Sequence, residues 1–249
     1  GWLSSAEAGQ AESAFEFLMT LRERLHALQG GPGDVLTLRL QGELAEAMGY
    51  PQPNILRKSE ALMRETYGHL RTLHLVCNPT ATRICQQKTG RPRGLWSFFS
   101  GWTGTRRATD GFLLNGAELS AESPEVFQQD PDRMIRVFRI LQDQGSVPGA
   151  ELSAQIRSNF SLLTGEWAQR LEVRETFLHI LRQKGKVGRI LRWMHECGVL
   201  GRILPEFAPL TCLVQHEFFH RYTADEHTLV CLEQLDAMLD SKEPDLRKY

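Results

Sequence analysis

Along most of the chain, apolar residues return every three or four positions, the period of amphipathic helices with one buried face. Residues 4–28 carry Ala14, Phe17, Leu18, Leu21, Leu25 and Leu28 at that spacing. They follow Ser4-Ser5-Ala6-Glu7, which has the form of a capping box. Gln29-Gly30-Gly31-Pro32-Gly33 ends the run with strong breakers. Asp34 is then placed to cap a second helix holding Leu36, Leu40, Leu44, Ala47 and Met48, closed by Gly49-Tyr50-Pro51. A third helix is expected from about Asn54 to Cys77, turning Ile55, Leu62, Tyr67, Leu70 and Leu73 toward a core. Three helices with short connections predict a bundle.

The pattern changes once. Gly111 to Leu119 reads as a short β-hairpin, with Asn115-Gly116 as the dipeptide a two-residue turn favours. Asp130-Pro131-Asp132 opens another helix with a cap and a proline at the first helical position. Met134, Ile135, Val137, Phe138 and Leu141 form its apolar face. Further helical runs cover about 150–163, 171–184 and 186–197. Gly198 and Gly201 punctuate the last, and Leu204-Pro205 breaks it. No internal repeat is present. The expected fold is all-α, helical bundle segments with one small β-hairpin near 111–119.

Composition narrows the class. With 249 residues, 41% hydrophobic and 24% charged, the chain can bury a real core and is neither disordered nor low-complexity. A formal net charge of -1 offers no global argument for a polyanion or a membrane surface. Arginine dominates the basic side, 23 Arg against 6 Lys, but scattered along helices it reads as solvated surface. Residues 88–109 are the exception. Lys88, Arg91, Arg93, Arg106 and Arg107 interleave with Trp96, Phe98, Phe99 and Trp102, and no acid intervenes. Such a stretch can stack on single strands or insert at a membrane; as a glycine-rich connection without helical period, it reads more plainly as a loop packed on its neighbours. Neither nucleic acid nor membrane is expected as a partner.

Five cysteines, Cys77, Cys85, Cys197, Cys212 and Cys231, form no CxxC pair. Reduced thiols and a cytoplasmic location follow as expectations. No apolar run reaches the ~18 residues of a membrane span. Residue 1 is glycine, and Asp245-Leu246-Arg247-Lys248-Tyr249 finishes without a stop signal. The expectation is a piece of a longer protein.

His216-Glu217-Phe218-Phe219-His220 matches HExxH, which on one helix would set two imidazoles on a face for zinc with Glu217 as general base. Thr223 and Glu226 stand where a longer zinc-peptidase signature wants Gly and His. Glu233 or Glu243 remains as a distant third ligand. Thr223-Ala224-Asp225-Glu226 is itself a capping box, so a new helix starts there, with Leu229, Val230, Leu232, Leu235, Met238 and Leu239 as its apolar face. His227 falls at the edge of that face. On its own it is a core-edge histidine or a metal ligand.

The run from Gly185 to Leu229 resembles a known family. Met194 to Phe207 (MHECGVLGRILPEF) and Phe219 to Leu229 (FHRYTADEHTL) resemble the entry into the HD domain of the bifunctional uridylyltransferase/uridylyl-removing enzymes that modify the PII signalling protein. Phe17 to Leu28, Asp34 to Tyr50, Asp110 to Ser120 and Asp130 to Gln142 look like earlier parts of the same enzymes. Residues 88–109 match nothing in that pattern. The resemblance implies a helical region after a nucleotidyltransferase domain over 1–109, a hairpin and helical linker over 110–210, and the start of an HD domain over 211–249. It implies a parent enzyme that transfers UMP from UTP to PII with Mg2+ or Mn2+, removes it hydrolytically and answers to glutamine.

Glu226-His227-Thr228 looks like the site of an HD domain's first metal ligand, His227, while His220 receives no metal role. The combined site of the transfer domain, a Gly-Ser followed by paired aspartates, and the His-Asp doublet of the HD site do not occur in this sequence. The stretch taken alone is therefore expected to be inactive and to bind no metal tightly. Glutamine synthetase adenylyltransferase has a related helical domain, but Phe219 to Leu229 speaks against it. A noncatalytic docking or regulatory module is the alternative from another class.

Overall fold

A computed structural model describes residues 3–88, 106–107, 109–215 and 222–240. Two compact units divide the chain, residues 1–84 with 210–227, and residues 85–209 with 228–249.

In the first unit, α1 (Ser5–Gln29) begins at the expected capping box. Ser4 Oγ accepts the Glu7 amide, and the Glu7 carboxylate accepts the Ser4 amide. Its end is a Schellman turn. Gly30, at φ +68°, donates to Ala27, and Gly31 donates to His26. Asp34 does not cap the second helix. It pairs with Arg22 at 2.8 Å and His26 at 2.9 Å, and its carboxyl is held below the usual range chiefly by the Arg22 bond. Thr37 takes the cap instead, and α2 spans Leu38–Ala47.

The third helix, α3 (Ile55–Lys88), ends eleven residues later than expected and runs on through Pro79. Its buried face also differs. Tyr67 and Leu70 are exposed, while Ser59, Leu62, Met63, Thr66 and Val76 are buried. The two polar members hide this face from a hydrophobicity pattern. Thr66 satisfies its hydroxyl on the Leu62 carbonyl, and Ser59 reaches Gln41. Leu21, Leu25, Leu40, Leu44, Ala45 and Leu62 make the core.

In the second unit, β2 (Phe112–Asn115) and β3 (Glu118–Ala121) form the expected hairpin. Two short strands extend it, β1 (Arg106–Arg107) antiparallel to β2 and β4 (Val147–Pro148) parallel to β3. The turn is displaced by one residue. Asn115 pairs with Glu118, so Gly116-Ala117 is the connection, with φ +64° at Gly116 alone. Asn115 instead works in the strand, its side chain donating to Ser120.

Helices α4 (Val126–Gln129), α5 (Arg133–Gln144), α6 (Ala150–Ser158), α7 (Leu171–Leu181), α8 (Gly188–Glu196) and α9 (Val199–Ile203) follow. Pro131 lies in the turn before α5, where Asp130 accepts the Asp132 amide, so it is not the first helical residue. Met134, Ile135, Val137, Phe138 and Leu141 are buried as the period predicts, against Phe112, Leu119, Phe127 and Trp167. Gly198, at φ +80°, separates α8 from α9, whereas Gly201 sits inside α9.

Arg136 fastens the hairpin base to this helical layer. It binds Asp110 at 2.6 Å, Asp130 at 2.5 Å and Glu172 at 2.6 Å. Partial burial opposes its charge, but the three carboxylates outweigh that and raise its pKa. Asp110 and Gly111 both have positive φ, +71° and +82°, turning the chain into β2. Among the described residues the fold is helical with one small sheet, as expected. No described helix is long and apolar enough to cross a membrane.

Candidate functional site

The helix that carries His227 is α10, Ala224–Asp240, and it starts directly after Thr223 as the sequence predicts. Its start is tied to the turn around Cys212. The Ala224 amide donates to the Leu213 carbonyl at 2.9 Å, and the Asp225 carboxylate accepts the Cys212 amide at 3.1 Å. Cys212 adopts φ +54° to present that amide. Burial first, and then the Asp225 charge, push the Cys212 thiol upward, away from a reactive thiolate. Asp225 and Glu226 also place negative charge on the first turn, where the helix dipole favours it.

Further along, α10 has two unlike faces. Leu229 is fully buried, and Leu232 packs on the same core. On that side the Glu233 carboxylate takes both arms of Arg192, at 2.6 and 2.9 Å, and Asp236 accepts the Gly188 amide at 2.6 Å. The opposite side carries His227, Cys231, Gln234, Leu235 and Met238, all exposed. Leu235, Met238 and Leu239, expected toward a core, are 55%, 37% and 52% exposed. Among the described residues their part of the apolar stripe is only partly covered.

The backbone of His227 donates to the Thr223 carbonyl at 2.8 Å, leaving its ring on the exposed face. Among the described residues no three His, Cys, Asp or Glu side chains gather into a metal site. His216, Glu217 and His220 lie outside the described residues, as does nearly all of the basic aromatic stretch 88–109. Of its residues Arg106 and Arg107 are seen as strand β1. Among the described residues Cys77, Cys197, Cys212 and Cys231 form no disulfide. The contacts of Gly188, Arg192, Glu233 and Asp236 were not foreseen from sequence. Two acids at i and i+3 within a largely apolar helix were the one local sign of them.

Two family descriptions match separate stretches of the chain: "GlnD PII-uridylyltransferase" over residues 1–80, and "Uridylyltransferase GlnD third domain" over residues 112–203. Among curated proteins, a bifunctional uridylyltransferase/uridylyl-removing enzyme of Caulobacter vibrioides is 30% identical over 219 residues, 87% of this chain and 23% of that protein. Enzymes of the same name from Burkholderia lata and Burkholderia mallei are each 28% identical, over 94% of this chain and 27% of theirs. The chain thus spans about a quarter of the length of these relatives. No solved structure matches it. Both family matches and all three of these relatives point the same way, and the chain belongs to the GlnD uridylyltransferase family.

Proposed function

We propose that this chain is the helical middle of a bifunctional uridylyltransferase/uridylyl-removing enzyme of the cytoplasm. The parent transfers UMP from UTP to the PII nitrogen-regulatory protein, hydrolyses it off again, and answers to glutamine. What carries the reading is the alignment, over 87% of the chain, with an enzyme of that printed name. None of the relatives named above is a peptidase, which leaves the zinc-peptidase reading of His216, Glu217 and His220 without support from them.

His227 is the group this chain offers to the hydrolytic site. An imidazole on an exposed helix face, beside an apolar stripe, suits one ligand of a set whose other members stand on further elements. Mn2+, a first-row transition ion, accepts an imidazole nitrogen more readily than Mg2+ does, which makes it the better probe of the two. When bound, a divalent ion supplies polarisation of the phosphoryl oxygen and a more acidic water. The chain's own contribution is to hold α10 and orient that imidazole. Among the described residues His227 is the one ligand proposed for that site, and the chain taken alone is expected to be inert.

Two measurements test this. The purified chain, given PII, UTP and Mn2+ or Mg2+, is expected to show neither transfer nor removal. In the intact enzyme, His227→Ala is expected to abolish removal and spare transfer. Turnover by the chain alone, or undiminished removal by the variant, would sink the proposal.

A further inference from the structure

We infer that the contact between α8 and α10 is a positioning device for the hydrolytic site, with Gly188 and Arg192 setting the bearing of the His227 face. The inference rests on the reading of His227 as a metal ligand.

Three contacts define the device. A Cβ added at Gly188 would lie 2.6 Å from the Glu233 nitrogen, 2.8 Å from its Cα and 2.8 Å from the Leu232 carbonyl carbon. All three atoms are main chain, so no rotamer change relieves the clash, and any side chain there forces the helices apart. The Gly188 amide, at the first position of α8, has no partner within its own helix; Asp236 accepts it. One turn on, Arg192 grips Glu233 with two parallel bonds.

Geometry then decides what the contacts do. At about 100° per residue, Glu233 and Asp236 point roughly 240° and 180° away from His227 around α10. The two carboxylates can be engaged only while His227 faces the other way. A slip of one residue along the axis, about 1.5 Å, or a turn of about 100°, would release both. The pair does more than add stability. Arg192 and Glu233, 23% and 32% exposed, meet through two parallel bonds, which fix direction as well as contributing free energy. Leu229, fully buried, and Leu232, packed on the same core, supply the apolar anchor. What Arg192, Glu233 and Asp236 add is register.

The test uses the intact enzyme with Gly188→Ala, Arg192→Ala and the reciprocal pair R192E/E233R. Three quantities are read: Mn2+ bound at equilibrium dialysis, Mn2+ needed for half-maximal uridylyl removal, and amide exchange over residues 224–236. Each single variant is expected to weaken Mn2+ binding and raise the half-saturating concentration about tenfold, the low end for groups that orient a ligand. Exchange in α10 is expected to quicken while uridylyl transfer holds. The reciprocal pair should recover Mn2+ binding to within about twofold of the parent, because the charge pairing returns while packing is unchanged. Single variants with parental Mn2+ binding, or a reciprocal pair no better than Arg192→Ala, would overturn the inference. His227→Ala separates the two claims. If it keeps parental Mn2+ binding, the metal reading falls, and the exchange data still judge the latch.

Discussion

The two units of this chain solve the same problem with unequal means. The first gathers six residues of α1, α2 and α3 into its described core, and leaves Phe15, Val35, Leu38, Ile55 and Leu56 about half exposed or more. The second buries twenty-three residues in one cluster, under a small sheet, with Arg136 and its carboxylates closing the edge. Buried apolar area is the main source of stability, so the second unit should hold together under conditions that open the first.

The sharpest test of that difference is a matched pair of cavities. Phe138→Ala in the second unit is expected to cost about 3–5 kcal/mol, and Leu44→Ala in the first about 2–4 kcal/mol. Hydrogen exchange should show each loss confined to its own unit. If Leu44→Ala loosened residues 112–203 as much as Phe138→Ala does, the units would not be independent.

Next in size is Arg136→Met, which strands three carboxylates at the hairpin base and should cost about 2 kcal/mol at neutral pH, after allowance for partial exposure. Its pH dependence has a definite sign. Burial pushes the Asp130 carboxyl upward, but bonding to Arg136 holds it below the ordinary value. A carboxylate lowered in this way stabilises the fold above its unfolded pKa, about 3.9, and loses that contribution as pH falls through its folded value. Urea unfolding at pH 7 and pH 3 should therefore show the gap between parent and variant shrinking in acid. A gap that widened in acid would reverse the assignment. The smallest effect belongs to the first unit, where Ser4→Ala should remove the capping box of α1 for about 1 kcal/mol. Circular dichroism melts should register it, and a cost near zero would mean the helix start is held by something else.

Where structure is set by neighbours in sequence, it was legible. Ser4 and Glu7 announce α1, Gly30 ends it, and the period through Met134 to Leu141 gives both helix and face. What failed was set by partners far away. Asp34 has the form of a cap, but Arg22 and His26, distant in sequence, take its carboxylate. The buried face of α3 escapes an apolar period because Ser59 and Thr66 are buried with their hydroxyls bonded. β1 and β4 are two residues long, too short to show an alternation. At the site, His227 came from family resemblance, and its spacing alone left it ambiguous. The α8–α10 contact joins residues 48 apart in sequence and depends on a missing side chain, which no local pattern marks.

Gly188 has one more consequence. It meets the main chain of α10 at Leu232 and Glu233, and a main chain looks the same whatever residue it carries. The constraint is therefore one-sided. In a saturation library, position 188 should accept almost nothing, while position 232 should drift freely among apolar residues of similar size. The two partners of a single contact would then leave very different tolerance profiles.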